Sequence, residues 1–212
     1  MLRRGAYVTL DGPDGVGKSN QAARLADVTG SQLTREPGGY IEHIRRILLD
    51  PEIELTPEAE ILLFSADRNI SLKRTVMPNL VDGKSVVSDR SYLSTLAYQC
   101  YGRGLNIVDA QALTDFAVGD IRADKVLILD APFEITQARV KERNKGNGSM
   151  PHNDRFEAED RKFKNRVRNG FLELARDLGE KAILIDASGT KQETFNQIMQ
   201  ACGKLLVDGV EA

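Results

Sequence analysis

The chain has 212 residues, of which 41% are hydrophobic and 28% are charged, so it is long enough for one α/β domain with a substantial core. Its formal net charge of −2 argues against general binding to nucleic acid or anionic membranes. No apolar run approaches the roughly 18 residues of a membrane span. Cys100 and Cys202 are expected to be reduced, packed thiols in a cytoplasmic protein, because the sequence carries no export signal.

Short apolar stretches alternate along the chain with longer segments of helical periodicity, which predicts a parallel sheet covered by helices on both faces. The predicted strands are 6–12, 31–37, 84–90, 125–131 and 181–187. The predicted helices are 17–28, 41–49, 57–80, 93–100, 109–119, 132–145, 155–178 and 190–207. The whole chain, 1–212, is expected to form a single domain, because its one linker-like stretch, 144–154, is typical of a mobile loop within a domain.

The stretch "GPDGVGKS" follows the first predicted strand, precedes a predicted helix and matches the pattern G-x-x-x-x-G-K-[ST] in full. Its glycines allow several backbone N–H groups to converge on one phosphate, Lys18 can reach the β- and γ-phosphates, and the Ser19 hydroxyl can bind Mg²⁺. The predicted ATP-binding loop consists of Gly12, Pro13, Asp14, Gly15, Val16, Gly17, Lys18 and Ser19. The loop alone leaves three classes open: a switch GTPase, a motor ATPase and a small-molecule kinase.

A kinase needs a second site for the acceptor, and the segment "EILLFSADRNISLK" is a candidate for it. Phe64 and Arg68 lie four residues apart there, on one face of a predicted helix. A flat ring beside a guanidinium suits a nucleobase, because the ring stacks on the base while the arginine donates to a base carbonyl. The alternative interpretation is a core phenylalanine beside a solvated arginine.

Acidic residues end two of the predicted strands, and either could help to hold Mg²⁺. Asp89 and Asp130 both resemble a Walker-B acid, which binds the metal directly or through water. The pattern does not decide between them. We favour Asp89, with Ser19, as the metal site, because the adjacent Arg90 suits a bidentate grip on a second phosphate group.

Several segments in order and spacing together resemble thymidylate kinases of the bacterial type, from about Tyr7 to Ala187. These segments are "LDGPDGVGKS", "LTREPGG", "LLFSADR", "SDR…LSTLAYQ", "LDAPFE" and "DRFEAED…VRNGFLELA". The resemblance implies a three-layer α/β/α P-loop nucleoside-monophosphate-kinase fold with a five-stranded parallel sheet. It implies transfer of the γ-phosphoryl group of ATP to dTMP, giving dTDP for dTTP biosynthesis, with Mg²⁺ as cofactor, and it suggests a homodimer.

The resemblance also implies how the sugar and the phosphate of dTMP would be held. Asp14, the acid inside the phosphate loop, would accept a hydrogen bond from the 3′-OH of the acceptor sugar. Tyr98 would lie under that sugar, where a ribose 2′-OH would clash. Arg45 and Arg90 would hold the acceptor phosphate, and residues 36–37 would shape that wall of the site.

The base would be recognised by a third group of residues that the resemblance identifies. Phe64 would stack on thymine, Arg68 would donate to the O4 carbonyl of thymine, and Thr95 and Gln99 would line the base edge. The complete predicted set of dTMP-binding residues is Asp14, Glu36, Pro37, Arg45, Phe64, Arg68, Arg90, Thr95, Tyr98 and Gln99.

Residues 139–168 contain ten Lys or Arg and five Asp or Glu residues around a glycine-containing loop, a composition that predicts a lid closing over phosphates. The lid is predicted over about 141–156. Thymidylate kinases with glycine at the position of Gly15 resemble this chain and supply transition-state arginines from the lid, which here would be Arg143 and Arg155. The predicted catalytic residues are Asp14, Lys18, Arg90, Arg143 and Arg155, and Arg143 is also predicted to contact ATP.

The predicted reaction requires no general base, because the attacking phosphate oxygen is largely ionised at pH 7. Two other functions remain open from the sequence. One is a kinase for another or a modified deoxypyrimidine monophosphate, such as 5-hydroxymethyl-dUMP, since Tyr40 and Ser91 depart from the family pattern beside the acceptor pocket. The other is a non-catalytic nucleotide switch, against which Phe64, Arg68 and Arg90 argue because a switch has no use for an acceptor pocket.

Overall fold

The computed structural model describes residues 3–38, 40–146 and 155–211. Five parallel strands form the main sheet in the order β3-β4-β2-β5-β6, which confirms the predicted α/β class. These strands are β2 (Tyr7–Asp11), β3 (Gln32–Arg35), β4 (Val86–Asp89), β5 (Lys125–Asp130) and β6 (Ala182–Asp186). A two-stranded antiparallel ribbon, β1 (Arg3–Arg4) with β7 (Val210–Glu211), was not predicted.

Helices follow the strands as the periodicity predicted. They are α1 (Lys18–Thr29), α2 (Glu42–Leu49), α3 (Pro57–Ser71), α4 (Met77–Val81), α5 (Tyr92–Thr95), α6 (Ile107–Val118), α7 (Phe133–Gly146), α8 (Arg161–Leu178) and α9 (Lys191–Asp208). A π-helical turn, Leu72–Val76, joins α3 to α4, and a second one, Leu96–Gly102, continues α5. π-Helical turns occur frequently at functional sites, and the second one carries Tyr98 and Gln99.

The predicted start of one helix is wrong. The helix predicted over 155–178 begins at Arg161, because the Asp160 side chain accepts a hydrogen bond from the Phe163 backbone N–H and caps the helix there. Residues 155–158 form turns instead. Of the predicted lid, residues 147–154 lie outside the described part of the chain.

The core lies on both faces of the sheet, and β5 shows how the strands divide between them. Leu127 and Leu129 pack into the cluster formed with α1 and α9, whereas Val126 and Ile128 pack into the cluster formed with α8 and the π-helical turn 96–102. Alternate residues point to opposite faces of a strand, so a strand buried on both faces reads as one continuous apolar run. None of the helices in the described ranges has the length and hydropathy needed to cross a membrane.

Candidate active site

The phosphate loop connects β2 to α1, and its backbone requires glycine at specific positions. Gly12, Gly15 and Gly17 have φ values of 134°, 86° and 94°, a region that other residues rarely adopt. A Cβ atom at Gly15 would lie 2.5 Å from the Thr136 carbonyl oxygen in the first turn of α7. The loop therefore packs directly against the helix that leads into the predicted lid, and a larger residue at position 15 has no room.

Two oppositely charged side chains of the loop, the buried Lys18 and the half-buried Asp14, both have a pKa below the ordinary value. The pKa of Lys18 is lowered to about 8, mainly by burial and also by the nearby Arg90 charge, against the opposing effect of Asp14. Burial by itself would raise the pKa of Asp14, but the charges of Arg90 and Lys18 outweigh it and lower that pKa to about 2. Asp14 is thus ionised at neutral pH. The Lys18 ammonium donates to the Pro13 carbonyl oxygen at 2.8 Å.

Asp14 links the phosphate loop to the end of β4. One carboxylate oxygen of Asp14 pairs with Arg90 Nη2, and the other accepts a hydrogen bond from the Tyr98 hydroxyl at 2.7 Å. Lys18 Nζ lies 3.9 Å from Asp14 Oδ1. The loop acid thus stands between Lys18 on one side and Arg90 with Tyr98 on the other, so its charge is compensated before any ligand binds.

The backbone of Arg90 is strained. Its φ of 81° is unusual for a residue with a Cβ atom and costs on the order of 1–3 kcal/mol. The Arg90 N–H donates to the Leu10 carbonyl oxygen at 2.9 Å, and its own carbonyl accepts from the Ser88 hydroxyl at 2.8 Å. These bonds hold the strained conformation, which directs the guanidinium toward Asp14 instead of along the strand.

A single cavity brings together nine of the ten residues predicted to bind dTMP. It is lined by Asp14, Glu36, Pro37, Leu49, Phe64, Arg68, Arg90, Ser91, Ser94, Thr95, Tyr98, Gln99 and Phe156. We call it the acceptor cavity. The tenth residue, Arg45, does not line it but donates to the Pro37 carbonyl oxygen at 2.6 Å. Phe156, which the sequence analysis missed, packs edge-on against Tyr98 with ring centroids 5.2 Å apart.

The polar wall of the acceptor cavity holds two side-chain atoms without partners. Arg68 is 2% exposed, which rules out the solvated arginine of the alternative interpretation; it donates to Glu36 at 2.8 Å and to the Thr95 hydroxyl at 2.8 Å. Gln99 is fully buried and donates from Nε2 to Glu60 at 2.9 Å. Within the described ranges, Arg68 Nη1 and Gln99 Oε1 are buried without a hydrogen-bond partner. A free donor and a free acceptor therefore remain beside the apolar ring of Phe64.

A second cavity opens on the other side of the phosphate loop. We call it the donor cavity; it is lined by Asp14, Gly15, Gly17, Lys18, Ser19, Asn20, Arg90, Arg139, Val140, Glu142, Arg143, Gly189, Thr190 and Lys191. Arg143, near the end of α7, lines it and pairs with Glu157 at 2.5 Å. Arg139 and residues 189–191 were not predicted. Asp14 and Arg90 line both cavities, so the two cavities meet at this pair.

Comparisons with known proteins identify the family of this chain. The family model "Thymidylate kinase" matches residues 10–198. The chain is 40% identical over 200 residues to the thymidylate kinase of Syntrophotalea carbinolica, covering 91% of this chain and 92% of that protein. It is 43% identical over 191 residues to that of Pseudomonas fluorescens, covering 86% and 88%. The chain belongs to the thymidylate kinase family.

Asp89 and Asp130, the two acids that the sequence left open as metal ligands, differ in their hydrogen-bond partners. Asp130 accepts two hydrogen bonds of 2.7 Å from Arg168, one to each carboxylate oxygen. Asp89 Oδ1 is buried and has no partner in the part of the chain that the structure describes, and Asp89 lines one cleft together with Ser19. A carboxylate and a hydroxyl supply the oxygen ligands that Mg²⁺ prefers beside bound phosphates. Asp89 fits the metal of a thymidylate kinase better than Asp130 does.

Arg155 does not lie where the predicted catalytic role requires. Its Nη2 donates to the carbonyl oxygens of Ile47, Asp50 and Ile53, and its Nη1 contacts Glu60 at 3.3 Å. The carbonyl groups at the C-terminal end of a helix lack intrahelical partners and attract a cation. Arg155 fastens the end of α2 to the C-terminal end of the predicted lid, and it lines neither the acceptor nor the donor cavity.

The sequence analysis also missed Asp11, the last residue of β2. Asp11 is fully buried and accepts hydrogen bonds from the Ser91 N–H at 3.0 Å, the Ser91 hydroxyl at 2.7 Å and the Ser94 hydroxyl at 2.8 Å. These bonds fix the start of α5 directly after Arg90. Ser91, which departs from the thymidylate kinase pattern, therefore has a structural partner in Asp11. The available sequence signal for Asp11 was the "LDG" at the start of the phosphate loop.

Proposed function

We propose that this member of the thymidylate kinase family transfers the γ-phosphoryl group of ATP to dTMP, giving dTDP for dTTP biosynthesis. The family and the curated relatives support a nucleotide-binding phosphotransferase. The observation that carries the proposal is the sharing of Asp14 and Arg90 by the donor and acceptor cavities. Two nucleotides bound in these cavities would place their phosphates at one junction, which direct transfer requires.

The proposed reaction depends on position and charge. An oxygen of the dTMP 5′-phosphate attacks the γ-phosphorus of ATP; the new P–O bond forms as the bond to the β–γ bridging oxygen breaks, and ADP leaves. Lys18 and the loop N–H groups hold the donor phosphates, and Arg90 holds the acceptor phosphate at the junction. Arg143, which lines the donor cavity, supplies positive charge to the transferring group as the lid closes.

Mg²⁺ is the proposed cofactor, held by Ser19 and Asp89 in the cleft that these residues share. The metal supplies charge neutralisation between the donor phosphates when it is bound. Asp14 is not a proposed ligand. Its carboxylate is already engaged by Arg90 and Tyr98, and it is available to the acceptor sugar on the side of the acceptor cavity.

A homodimer and a cytoplasmic location complete the proposal. Val108 and Phe116, two helical turns apart on α6, are 71% and 86% exposed, and Leu62 on the adjacent α3 is 56% exposed. An apolar face of this kind is costly in water and suits a second copy of the chain. Phe116→Asp should convert the dimer to a monomer in analytical ultracentrifugation.

The proposed cytoplasmic location is supported by the cysteines. Cys100 and Cys202 are buried free thiols, as a reducing compartment favours.

The proposal is tested by following nucleoside diphosphate formation from dTMP, dUMP, 5-hydroxymethyl-dUMP, dCMP, dGMP and dAMP with ATP and Mg²⁺. We expect the highest kcat/KM for dTMP. A higher value for 5-hydroxymethyl-dUMP would replace the proposed acceptor with the modified one. ATP hydrolysis without any diphosphate product would indicate a nucleotide switch and would overturn the proposal.

A further inference from the structure

Glu60, in the first turn of α3, is a buried acid that the proposed reaction does not use. It is 1% exposed, and its carboxylate accepts hydrogen bonds from three side chains. Gln99 Nε2 donates to it at 2.9 Å, Arg103 Nε and Nη2 at 3.3 and 3.2 Å, and Arg155 Nη1 at 3.3 Å. Buried carboxylates require such partners, and Glu60 forms salt bridges with both arginines.

The carboxylate fixes which end of the Gln99 amide faces the acceptor cavity. An ionised carboxylate only accepts hydrogen bonds, so the part of Gln99 that faces Glu60 has to be the NH₂ group. The two ends of an amide have nearly the same shape, so packing alone would not distinguish them. With the NH₂ group held by Glu60, the carbonyl oxygen of Gln99 remains in the cavity wall, buried and without a partner among the described residues.

Gln99 and Arg68 together present a defined pattern to a base. Arg68 Nη1 can only donate, and Gln99 Oε1 can only accept. The edge of thymine or uracil offers the complementary pair, the O4 acceptor beside the N3–H donor. Cytosine offers the opposite pair, the N4 amino donor beside the N3 acceptor, so both contacts would be mismatched.

We propose that Glu60 is a positioning residue that makes the acceptor cavity select thymine and uracil over cytosine, by holding the Gln99 amide in one orientation. The inference rests on the proposed function, because it concerns the base of the acceptor nucleotide. Glu60 itself does not line the acceptor cavity. It also binds Arg155, so the residue that orients the base contact is tied to the C-terminal end of the predicted lid.

The substitution Glu60→Gln should reverse that orientation. Two of the three arginine contacts, from Arg103 Nη2 and Arg155 Nη1, are made to Oε1 of Glu60, and only Arg103 Nε donates to Oε2, so the single oxygen of the new amide would be held at the Oε1 position. The NH₂ group of the new amide would then face Gln99 and donate to the Gln99 carbonyl oxygen. The Gln99 amide would therefore be reversed, with its NH₂ group toward the cavity. The cavity would present two donors, and the N3–H group of thymine would lose its acceptor.

The experiment compares kcat/KM for dTMP, dUMP and dCMP in the wild-type protein and in Glu60→Gln. We expect the dTMP-to-dCMP ratio to fall by about 10- to 100-fold, which corresponds to one buried hydrogen bond lost to an unsatisfied group. The change should come from a higher KM for dTMP, with KM for ATP unchanged. The dTMP-to-dUMP ratio should stay constant, since the two bases share the edge that Gln99 contacts.

Glu159→Gln is the matched control. Glu159 also pairs with Arg103, but it is not a partner of Gln99, so the same carboxylate-to-amide change there should leave both ratios as in the wild type. A dTMP-to-dCMP ratio in Glu60→Gln within twofold of the wild-type value would overturn the inference. So would an equal fall in Glu159→Gln, because that would indicate a general effect of charge.

A second variant keeps the inference testable if Glu60→Gln does not fold. Gln99→Leu removes the contact and leaves Glu60 with its two arginines; it should lower the dTMP-to-dCMP ratio, and an unchanged ratio would overturn the inference. Where both variants fold, Glu60→Gln should have no further effect on the ratio in the Gln99→Leu background, whereas additive effects would contradict a role through Gln99. Failure of the wild-type protein to make dTDP would instead contradict the proposed function.

Discussion

The donor and acceptor cavities meet at Asp14 and Arg90, yet they are built in different ways. The donor cavity centres on one continuous loop, whose glycines have positive φ values and whose Lys18 is buried, and α7 and residues 189–191 complete its lining. The acceptor cavity is assembled from side chains that come from the ends of β3 and β4, from α3, from α5 and the π-helical turn 96–102, and from the C-terminal end of the predicted lid. Backbone groups bind any triphosphate, whereas a wall of side chains can be altered one contact at a time. Substitutions on the two sides should therefore separate rate from acceptor selectivity.

The largest effect is expected for Arg143→Ala on the donor side. Lid arginines that act on the transferring group contribute on the order of 10³–10⁵ in rate. We expect kcat to fall by about that range, with a much smaller change in KM for dTMP, because Arg143 lines the donor cavity and not the acceptor cavity. Steady-state kinetics with both substrates varied would measure the two effects separately.

Lys141→Ala is the control for this substitution. Lys141 is an exposed basic residue on the same helix, two positions away, and it does not line the donor cavity. Its loss removes the same charge from the lid but should leave kcat near the wild-type value. An unchanged kcat in Arg143→Ala, or an equal loss in the two variants, would contradict a specific role for Arg143.

Lys18→Met should give the next largest effect, a loss of on the order of 10²–10³ in kcat, typical of removing a preorganised donor to a developing charge.

The Lys18→Met substitution should also leave the Tm unchanged or raise it. Burial lowers the pKa of Lys18 to about 8, which means that the folded protein holds this charge at a cost in stability. Differential scanning calorimetry without nucleotide checks the second part, and a clear fall in Tm would show that Lys18 has a structural role instead.

The contrast between the cavities also explains how much of the protein the sequence could reveal. The sheet and most helices were predictable, because hydrophobic periodicity reports which faces are buried. The phosphate loop was predictable because eight consecutive residues carry it. Glu60, Asp11 and Phe156 were missed, since their roles depend on partners 39 to 95 positions away and no local pattern reports them. Arg155 was assigned to catalysis from its motif, and only its contacts with the end of α2 place it elsewhere.

Phe64→Leu should produce a smaller effect, confined to the acceptor side. Stacking of an aromatic ring on a base is worth roughly 1–3 kcal/mol and does not depend on which base is stacked, so KM for the acceptor should rise by about 5- to 100-fold. We expect dTMP, dUMP and dCMP to be affected alike, with KM for ATP unchanged. This uniform loss contrasts with the selective loss expected for Glu60→Gln. A change of selectivity in Phe64→Leu would mean that the ring takes part in choosing the base.

The smallest expected effect is a pH dependence of ATP binding that originates on the donor side. The pKa of Lys18 is about 8, and burial is the largest influence on it. The charge of Arg90 also lowers this pKa, whereas the charges of Asp14, Asp89 and Asp11 raise it. Bound phosphates favour the charged ammonium, so the affinity for ATP should fall as the pH rises above about 8, by at most tenfold per pH unit for one proton.

Folding stability should respond to this lysine in the opposite direction. Between about pH 8 and the ordinary value of 10.5, the unfolded chain holds a proton on Lys18 that the folded protein has lost, so this group makes the free energy of unfolding rise with pH. Isothermal titration calorimetry and urea unfolding from pH 7 to 10 would measure the two trends. Lys18→Met should remove both, and an ATP affinity that falls equally in the variant would assign the pH dependence to another group. If the ATP affinity falls and the free energy of unfolding rises with the titration of this one lysine, the donor loop gains its phosphate affinity from a charge that is unfavourable for folding alone.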